Sequence, residues 1–342
     1  MLTINEPIQT TATMTDERFP VVYSTLTTAA LVDRVLPYFA IESVLRCQFW
    51  HRGLSDIYLV ETATTPYILR VSHAHWRSQA DIDFELALLD FLHQRSIPVA
   101  YPLRTRAGDL ALHINAPEGT RYASLFIFAP GQVAVGDLNP TQGQILGKTV
   151  AQMHVVGQDF YVECDRHPLT LKYLLDDSLQ LIAPFLHHRP ADLDYLQAAI
   201  AQIKQQIHDL PQEPPFWGIC WGDPHSGNVH FTPNNQVTMF DFDQCGYGWR
   251  MFEIAKFWQV SLCSGASKNI RDAFLTGYQS VQAVTGAEME LLQAFTQVAQ
   301  IWRWAISLNH AVIHDYSRLD DYYFKVRLEQ LKMLRSPDWQ LF

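Results

Sequence analysis

Cationic side chains are scarce in this chain. Lysines and arginines number 25 against 35 aspartates and glutamates, a formal charge of -10. Nucleic-acid binders draw their affinity from cationic contacts to phosphates, so this balance argues against that class. It leaves room for cationic small molecules and metal ions. Cysteine is also scarce. Cys47, Cys164, Cys220, Cys245 and Cys263 are odd in number and form no C-x-x-C pair. They read as reduced thiols of a cytosolic protein. No run approaches the roughly 18 apolar residues of a membrane span. The opening segment is Thr-rich and carries Glu6, Asp16 and Glu17. It has neither the basic start nor the apolar core of a signal peptide. A cytoplasmic protein without a membrane partner is expected.

Several catalytic motifs are missing too. No G-x-S-x-G or H-E-x-x-H occurs, which removes the easiest hydrolase readings. Gly143 to Thr149 imitates a phosphate-binding loop, but its glycines stand one residue too close and the pattern around it is helical. Lys148 is therefore read as a solvated helix position. Gly246-Tyr247-Gly248 lacks the third glycine of a dinucleotide fingerprint and is read as a turn. His225 and His230 have no third soft ligand nearby, so zinc is not expected.

What is present suits a packed protein. Apolar residues make up 48% and charged residues 18%, the balance of a folded chain. Its 342 residues suit two domains of roughly 150 residues each. Residues 1–20 are expected to form a flexible arm. Thr27 to Ala40 sets Ala30, Leu31, Val35, Leu36 and Phe39 near helical spacing. Three β-type runs follow at 44–50, 57–61 and 67–71. Asp81 to Gln94 places Phe84, Leu88, Phe91 and Leu92 on one helical face. Two more β-type runs, 110–114 and 122–128, lead to Pro130-Gly131. Beyond Gly131 the pattern is helical at 138–156, 169–186, 192–210 and 251–334. Only 218–243, rich in Gly, Pro and Asp, interrupts it. The expectation is an α+β fold of two lobes. A small β-rich lobe covers 21–130, and a larger, mainly helical lobe covers 131–342.

One constellation carries chemistry. Trp221-Gly222-Asp223-Pro224-His225-Ser226-Gly227-Asn228 is followed by Val237-Thr238-Met239-Phe240-Asp241-Phe242-Asp243. Asn228 lies 5 residues after Asp223, and Asp241 lies 18 after it. An apolar run ends on Asp241. Phosphoryl transfer from a nucleotide needs a carboxylate to take the proton of the attacking hydroxyl. It also needs a carboxylate and an amide oxygen, hard ligands that hold Mg²⁺ against the phosphates. Protein kinases divide the work in this way.

At these residues the chain resembles the aminoglycoside phosphotransferase-like family of the protein-kinase-like fold. The G-D-x-H-x-G-N and D-F-D runs are most similar to its bacterial stress-response Ser/Thr kinase-like group. The resemblance spans residues 25–310 and is specific in 218–255. It implies a two-lobed kinase fold and an ATP- and Mg²⁺-dependent phosphotransferase. By it, Asp223 is the catalytic base, and Asn228 and Asp241 are the metal ligands. Arg70 stands where the family has a phosphate-binding Lys, and Glu85 stands where its partner acid would be. Leu125 to Gly131 resembles the interlobe hinge, with adenine contacts placed at Phe126 and Phe128. Ser55 falls in a nucleotide-covering loop that has one glycine, Gly53. His225 and Glu253 are expected to support the catalytic loop.

Two residues depart from the family pattern. Arg70 replaces the Lys, and a guanidinium is not geometrically equivalent to an ammonium. Trp221 replaces the His usual before Gly-Asp. The acceptor is expected to be a hydroxyl of a small molecule, such as an amino alcohol or aminoglycoside-like compound, or of a protein Ser/Thr. Trp302, Arg303, His310 and Asp315 are candidates for its pocket, within aromatic runs (Trp302, Trp304; Tyr316, Tyr322, Tyr323, Phe324) read mostly as core. The competing reading is a nucleotide-binding pseudokinase that serves as a regulatory or scaffold module. The sequence carries no mark of an oligomeric state.

Overall fold

The computed structural model describes residues 20–134, 137–313 and 319–341. The expected arm, apart from Pro20, lies outside them. Helix α1, Thr28–Arg34, starts at Thr27, whose hydroxyl accepts the Ala30 N–H. The helix expected through Ala40 stops early. Pro37 has no N–H to continue it, and the chain goes on as a 3₁₀ turn, Leu36–Tyr38.

Strands β1 (Arg46–Arg52), β2 (Ser55–Glu61) and β3 (Pro66–Ser72) follow. Helix α2, Gln79–Gln94, begins on a capping box between Ser78 and Asp81. That cap sets its start two residues ahead of the apolar face at Asp81. Strands β4 (Leu112–Ala116) and β5 (Gly119–Ile127) complete an antiparallel sheet of order β1-β2-β3-β5-β4. Side chains alternate across a strand, and β3 uses both faces. Leu69 and Val71 join α1 and Phe39 in a small buried cluster. Ile68 faces the opposite side, where α2 and Phe126 belong to the large core.

The remainder is mainly helical. Helix α3, Pro140–Gly157, is capped by Asn139 and opens on Pro140. A π-type turn, Lys172–Asp176, leads into α4, Asp177–Ile182, and Pro184 then turns the chain to 3₁₀. Helix α5 is Pro190–Ile207. Short strands β6 (Trp217–Cys220), β7 (Val229–Phe231), β8 (Val237–Met239) and β9 (Gly246–Trp249) pair as β6 with β9 and β7 with β8. Gly246 to Gly248 is thus strand, not turn, because it pairs with Gly218 to Cys220. Helices α6 (Arg250–Ser264), α7 (Lys268–Gln279), α8 (Gly286–Glu290), α9 (Leu292–Ile313) and α10 (Asp321–Arg335) divide the long helical stretch. Helix α3 packs closely on α7 at Gly147. A Cβ there would lie 1.9 Å from the Phe274 carbonyl oxygen.

Lys148 is exposed, as expected. Trp302, Trp304 and Phe324 are buried, whereas Tyr322 is exposed on α10. Among the described residues, no helix is long and apolar enough to cross a membrane.

Candidate active site

A cavity of about 440 Å³ opens between the five-stranded sheet and the β7–β8 hairpin. Ser55, Arg70, Glu85, Phe126 and Phe128 line it from the first lobe. Asn228, Asp241 and Asp243 line it from the second. Arg70 and Asp241, 171 positions apart in sequence, meet here because β3 presents Arg70 and β8 ends just before Asp241.

Arg70 and Glu85 form a two-pronged pair, with both Nη–Oε distances 2.7 Å. Both are buried. The Arg70 guanidinium also lies 4.8 Å from the centre of the Phe126 ring. Burial works against its charge, but Glu85, Asp243 and Asp241 outweigh burial and raise its pKa. Trp50 and His230 flank Phe128, at 5.8 and 5.6 Å between ring centres. His230 Nδ1 lies 2.7 Å from the Ala129 carbonyl and so ties β7 to the hinge. It is a structural bond, and His225 has its own partners elsewhere.

The loop after β6 presents Asp223. Gly222 holds φ at +89°, and a Cβ there would lie 2.2 Å from the Gln244 carbonyl oxygen. Only glycine fits. Glu253 on α6 accepts the N–H of Trp221 and, at 3.0 Å, that of Gly222. His154 Nε2 stands 3.5 Å from the same carboxylate. His154, Cys220 and Glu253 form a buried cluster of ligand-type groups. Glu253 is already committed to two backbone donors, so the cluster braces the loop. His225 Nδ1 accepts the Gly227 N–H at 3.0 Å, and its Nε2 lies 3.5 Å from Asp223 Oδ2. Asn228 Nδ2 donates to the Asp223 carbonyl at 3.1 Å. Its amide oxygen has no hydrogen bond among the described residues.

Trp221 answers the question raised by its unusual position. Its indole N–H donates to the carbonyls of Phe240 and Asp241, and its ring stacks on Phe242. Asp241 sits at φ +59°, a left-handed conformation that costs a non-glycine residue about 1–3 kcal/mol. Strain of this kind is found where a side chain must be aimed.

The site carries more negative charge than positive. Asp223, Asp241, Asp243 and Glu85 face Arg70, Arg77 and Lys256. Burial first, then Asp243, pushes the Asp241 carboxyl up to about 7, although Arg70 pulls the other way. Burial also opposes charge on Asp223. Lys256 at 3.3 Å, with His225, reverses that and holds Asp223 below the usual carboxylate range. Asp243 is lowered to about 2, because Arg77 overcomes its burial. Arg77 meets it at 2.9 and 3.0 Å and Trp76 Nε1 at 3.0 Å. A surplus carboxylate open to the cavity beside a free amide oxygen is a hard donor set that fits a divalent cation.

The proposed acceptor residues are less tightly gathered. Trp302 is buried against Phe252 and Tyr173 and reaches Asp223 only through Lys256. Arg303 and His310 lie further along α9 and do not line the cavity. Asp315 lies outside the described residues. The sequence reading missed Lys256, Gln244, Arg77, Trp76 and Trp50, and it gave Asp243 no role. A signal existed for Lys256. It is the single Lys in the apolar run Met251 to Trp258 and falls three residues after Glu253.

Paired lobes, a braced Gly-Asp loop and a left-handed Asp after a short hairpin are the frame of a protein-kinase-like fold. Residues 47–292 match the model of the phosphotransferase enzyme family, and the chain belongs to that family. It is an ATP-dependent phosphotransferase. An uncharacterized protein of Synechocystis sp. is 57% identical, covering 97% of this chain and 92% of the relative. The amicoumacin kinase hAmiN, solved with AMP-PNP, Ca²⁺ and Ami, superposes with a TM-score of 0.73 at 20% identity, over 89% of this chain and 92% of that one. A microcompartment-associated aminopropanol kinase gives 0.73 at 17% identity, over 90% and 95%. The two-lobed kinase fold is thereby shown.

Proposed function

We propose that the protein transfers the γ-phosphoryl group of ATP to a hydroxyl of a small, amino-bearing molecule. One observation carries the reading. Arg70, Asn228 and Asp241 line one cavity, and Asp223 stands next to it, hydrogen-bonded through Asn228. The lobe over 21–130 supplies nucleotide contacts through Ser55, Arg70, Glu85, Phe126 and Phe128. The lobe over 131–342 supplies the base and the metal ligands.

The chemistry follows from the geometry. Arg70, fixed by Glu85, steadies the α- and β-phosphates. The acceptor oxygen attacks the γ-phosphorus, and its proton passes to Asp223. The bond from phosphorus to the bridging oxygen breaks, and ADP leaves. Asn228 and Asp241 would hold Mg²⁺, which neutralises phosphate charge when bound. Positioning and charge compensation supply most of the rate. The amino-bearing acceptor is supported by the aminopropanol kinase among the structural neighbours.

Thermal unfolding with and without Mg·ATP tests the reading, on the wild type and on Asp241→Ala. A ligand at about 100 times its dissociation constant adds roughly 2.7 kcal/mol, a shift of several degrees. The shift is expected in the wild type and not in the variant. An acceptor screen over amino alcohols, other alcohols and Ser/Thr proteins then reads transfer. No shift in the wild type, or transfer to proteins alone, would sink it.

A further inference from the structure

We propose that Lys256 is a positioning residue of the reaction centre, which holds the Asp223 carboxylate in place from helix α6 and compensates its charge beside the incoming phosphoryl group. The inference rests on the kinase reading above. No Lys or Arg occurs from Trp217 to Phe231, so the catalytic loop has no cation of its own. Helix α6 provides one. Lys256 Nζ lies 3.3 Å from Asp223 Oδ1, with only 2% of its side chain exposed. The other oxygen, Oδ2, is ringed by Asn228 Nδ2 and Gln244 Nε2, each at 3.4 Å, and by His225 Nε2 at 3.5 Å. Among the described residues, Lys256 is the one Lys or Arg that meets this carboxylate.

Lys256 is itself held from behind. The Trp302 ring lies 5.7 Å from its ammonium and packs on Phe252 and Tyr173. One turn earlier, Glu253 binds the backbone just before Asp223. Helix α6 therefore grips the loop and the carboxylate by two side chains three residues apart. Fold stability does not account for the Lys. A buried ion pair is often no more stable than apolar packing of similar volume, and the neighbours Phe252, Ile254, Ala255, Phe257 and Trp258 are apolar and buried. Function does account for it. Asp223 and the phosphoryl group are both anionic, and a fixed cation between loop and helix lowers the cost of bringing them together.

The test needs no identified acceptor. Mg·ADP is titrated into the full chain with and without fluoroaluminate, which mimics the phosphoryl group in flight. The wild type, Lys256→Met and Lys256→Arg are compared. The proposal expects affinity for Mg·ADP alone to stay within about twofold in all three, because Lys256 does not line the nucleotide cavity. It expects fluoroaluminate to tighten binding in the wild type. The tightening falls by about tenfold or more in Lys256→Met and returns in part in Lys256→Arg. Equal tightening in all three overturns it, as does none in the wild type. A parallel loss of Mg·ADP affinity makes Lys256 a scaffold residue and also overturns it. If the wild type binds no Mg·ADP at all, the kinase reading falls first and takes this proposal with it.

Discussion

The indole N–H of Trp221 donates to the main-chain carbonyl of Asp241 at 2.9 Å. This bond joins the turn that carries the proposed base to the turn that carries the proposed metal ligand. Asp241 itself holds a left-handed backbone at φ +59°. Trp221→Phe keeps the stack on Phe242 and removes the donor. Loss of a hydrogen bond of this kind costs about 0.5–1.5 kcal/mol. The expected result is a stability loss of that size in urea, with turnover falling more than ATP affinity. Unchanged urea midpoints and turnover would show that the ring alone matters.

Asp223→Asn separates binding from chemistry. The amide retains the shape but cannot take a proton. General-base removal costs about 10²–10⁴ in rate. Transfer to whichever acceptor the screen finds is expected to drop by that factor, with the Mg·ATP thermal shift kept. Full transfer activity in the variant would remove Asp223 from its assigned role.

Arg70 and Glu85 make a pair that cannot be half removed. Arg70→Met leaves a buried carboxylate without its counter-charge, and breaking such a pair costs about 3–5 kcal/mol. Arg70→Lys keeps the charge but gives up the two-pronged geometry. The expected order of melting temperature is wild type, then Lys, then Met, and both variants raise KM for ATP. Equal melting temperatures for the Lys and Met variants would contradict this.

Much of this fold was legible because it is written in local patterns. The alternation in β2 and the capped amphipathic α2 belong to single segments, and both elements appear near their expected places. The helix boundaries were harder. Pro37 and Pro184 break helices that apolar spacing alone would continue. The spacing from Asp223 to Asn228 and Asp241 marked the site, because a loop and the strand end beside it carry all three. Lys256 and Arg77 were not legible in the same way. Each meets its carboxylate only after the chain has folded, across 33 and 166 residues. The pairing of β6 with β9 is likewise a long-range event that two glycines do not announce.

The pH dependence of metal binding follows from Asp241. Its carboxyl is pushed up to about 7 by burial, then by Asp243. A metal and a proton compete for that carboxylate. Above about pH 7 the group is ionised and the metal meets no competitor. Below it, each pH unit weakens binding by a factor approaching ten. The stability term has the opposite sign. The folded pKa is raised, so the unfolded chain sheds its proton first, near its ordinary value of 3.8. Without metal, this group therefore lowers stability as pH rises from about 4 to about 7. A bound divalent cation relieves that cost. Calorimetric titration with Mg²⁺ alone, from about pH 8 to about pH 6, should show affinity falling toward acid. Asp241→Asn should abolish the binding at every pH. A flat profile in the wild type would mean that Asp241 is not the ligand that limits metal binding.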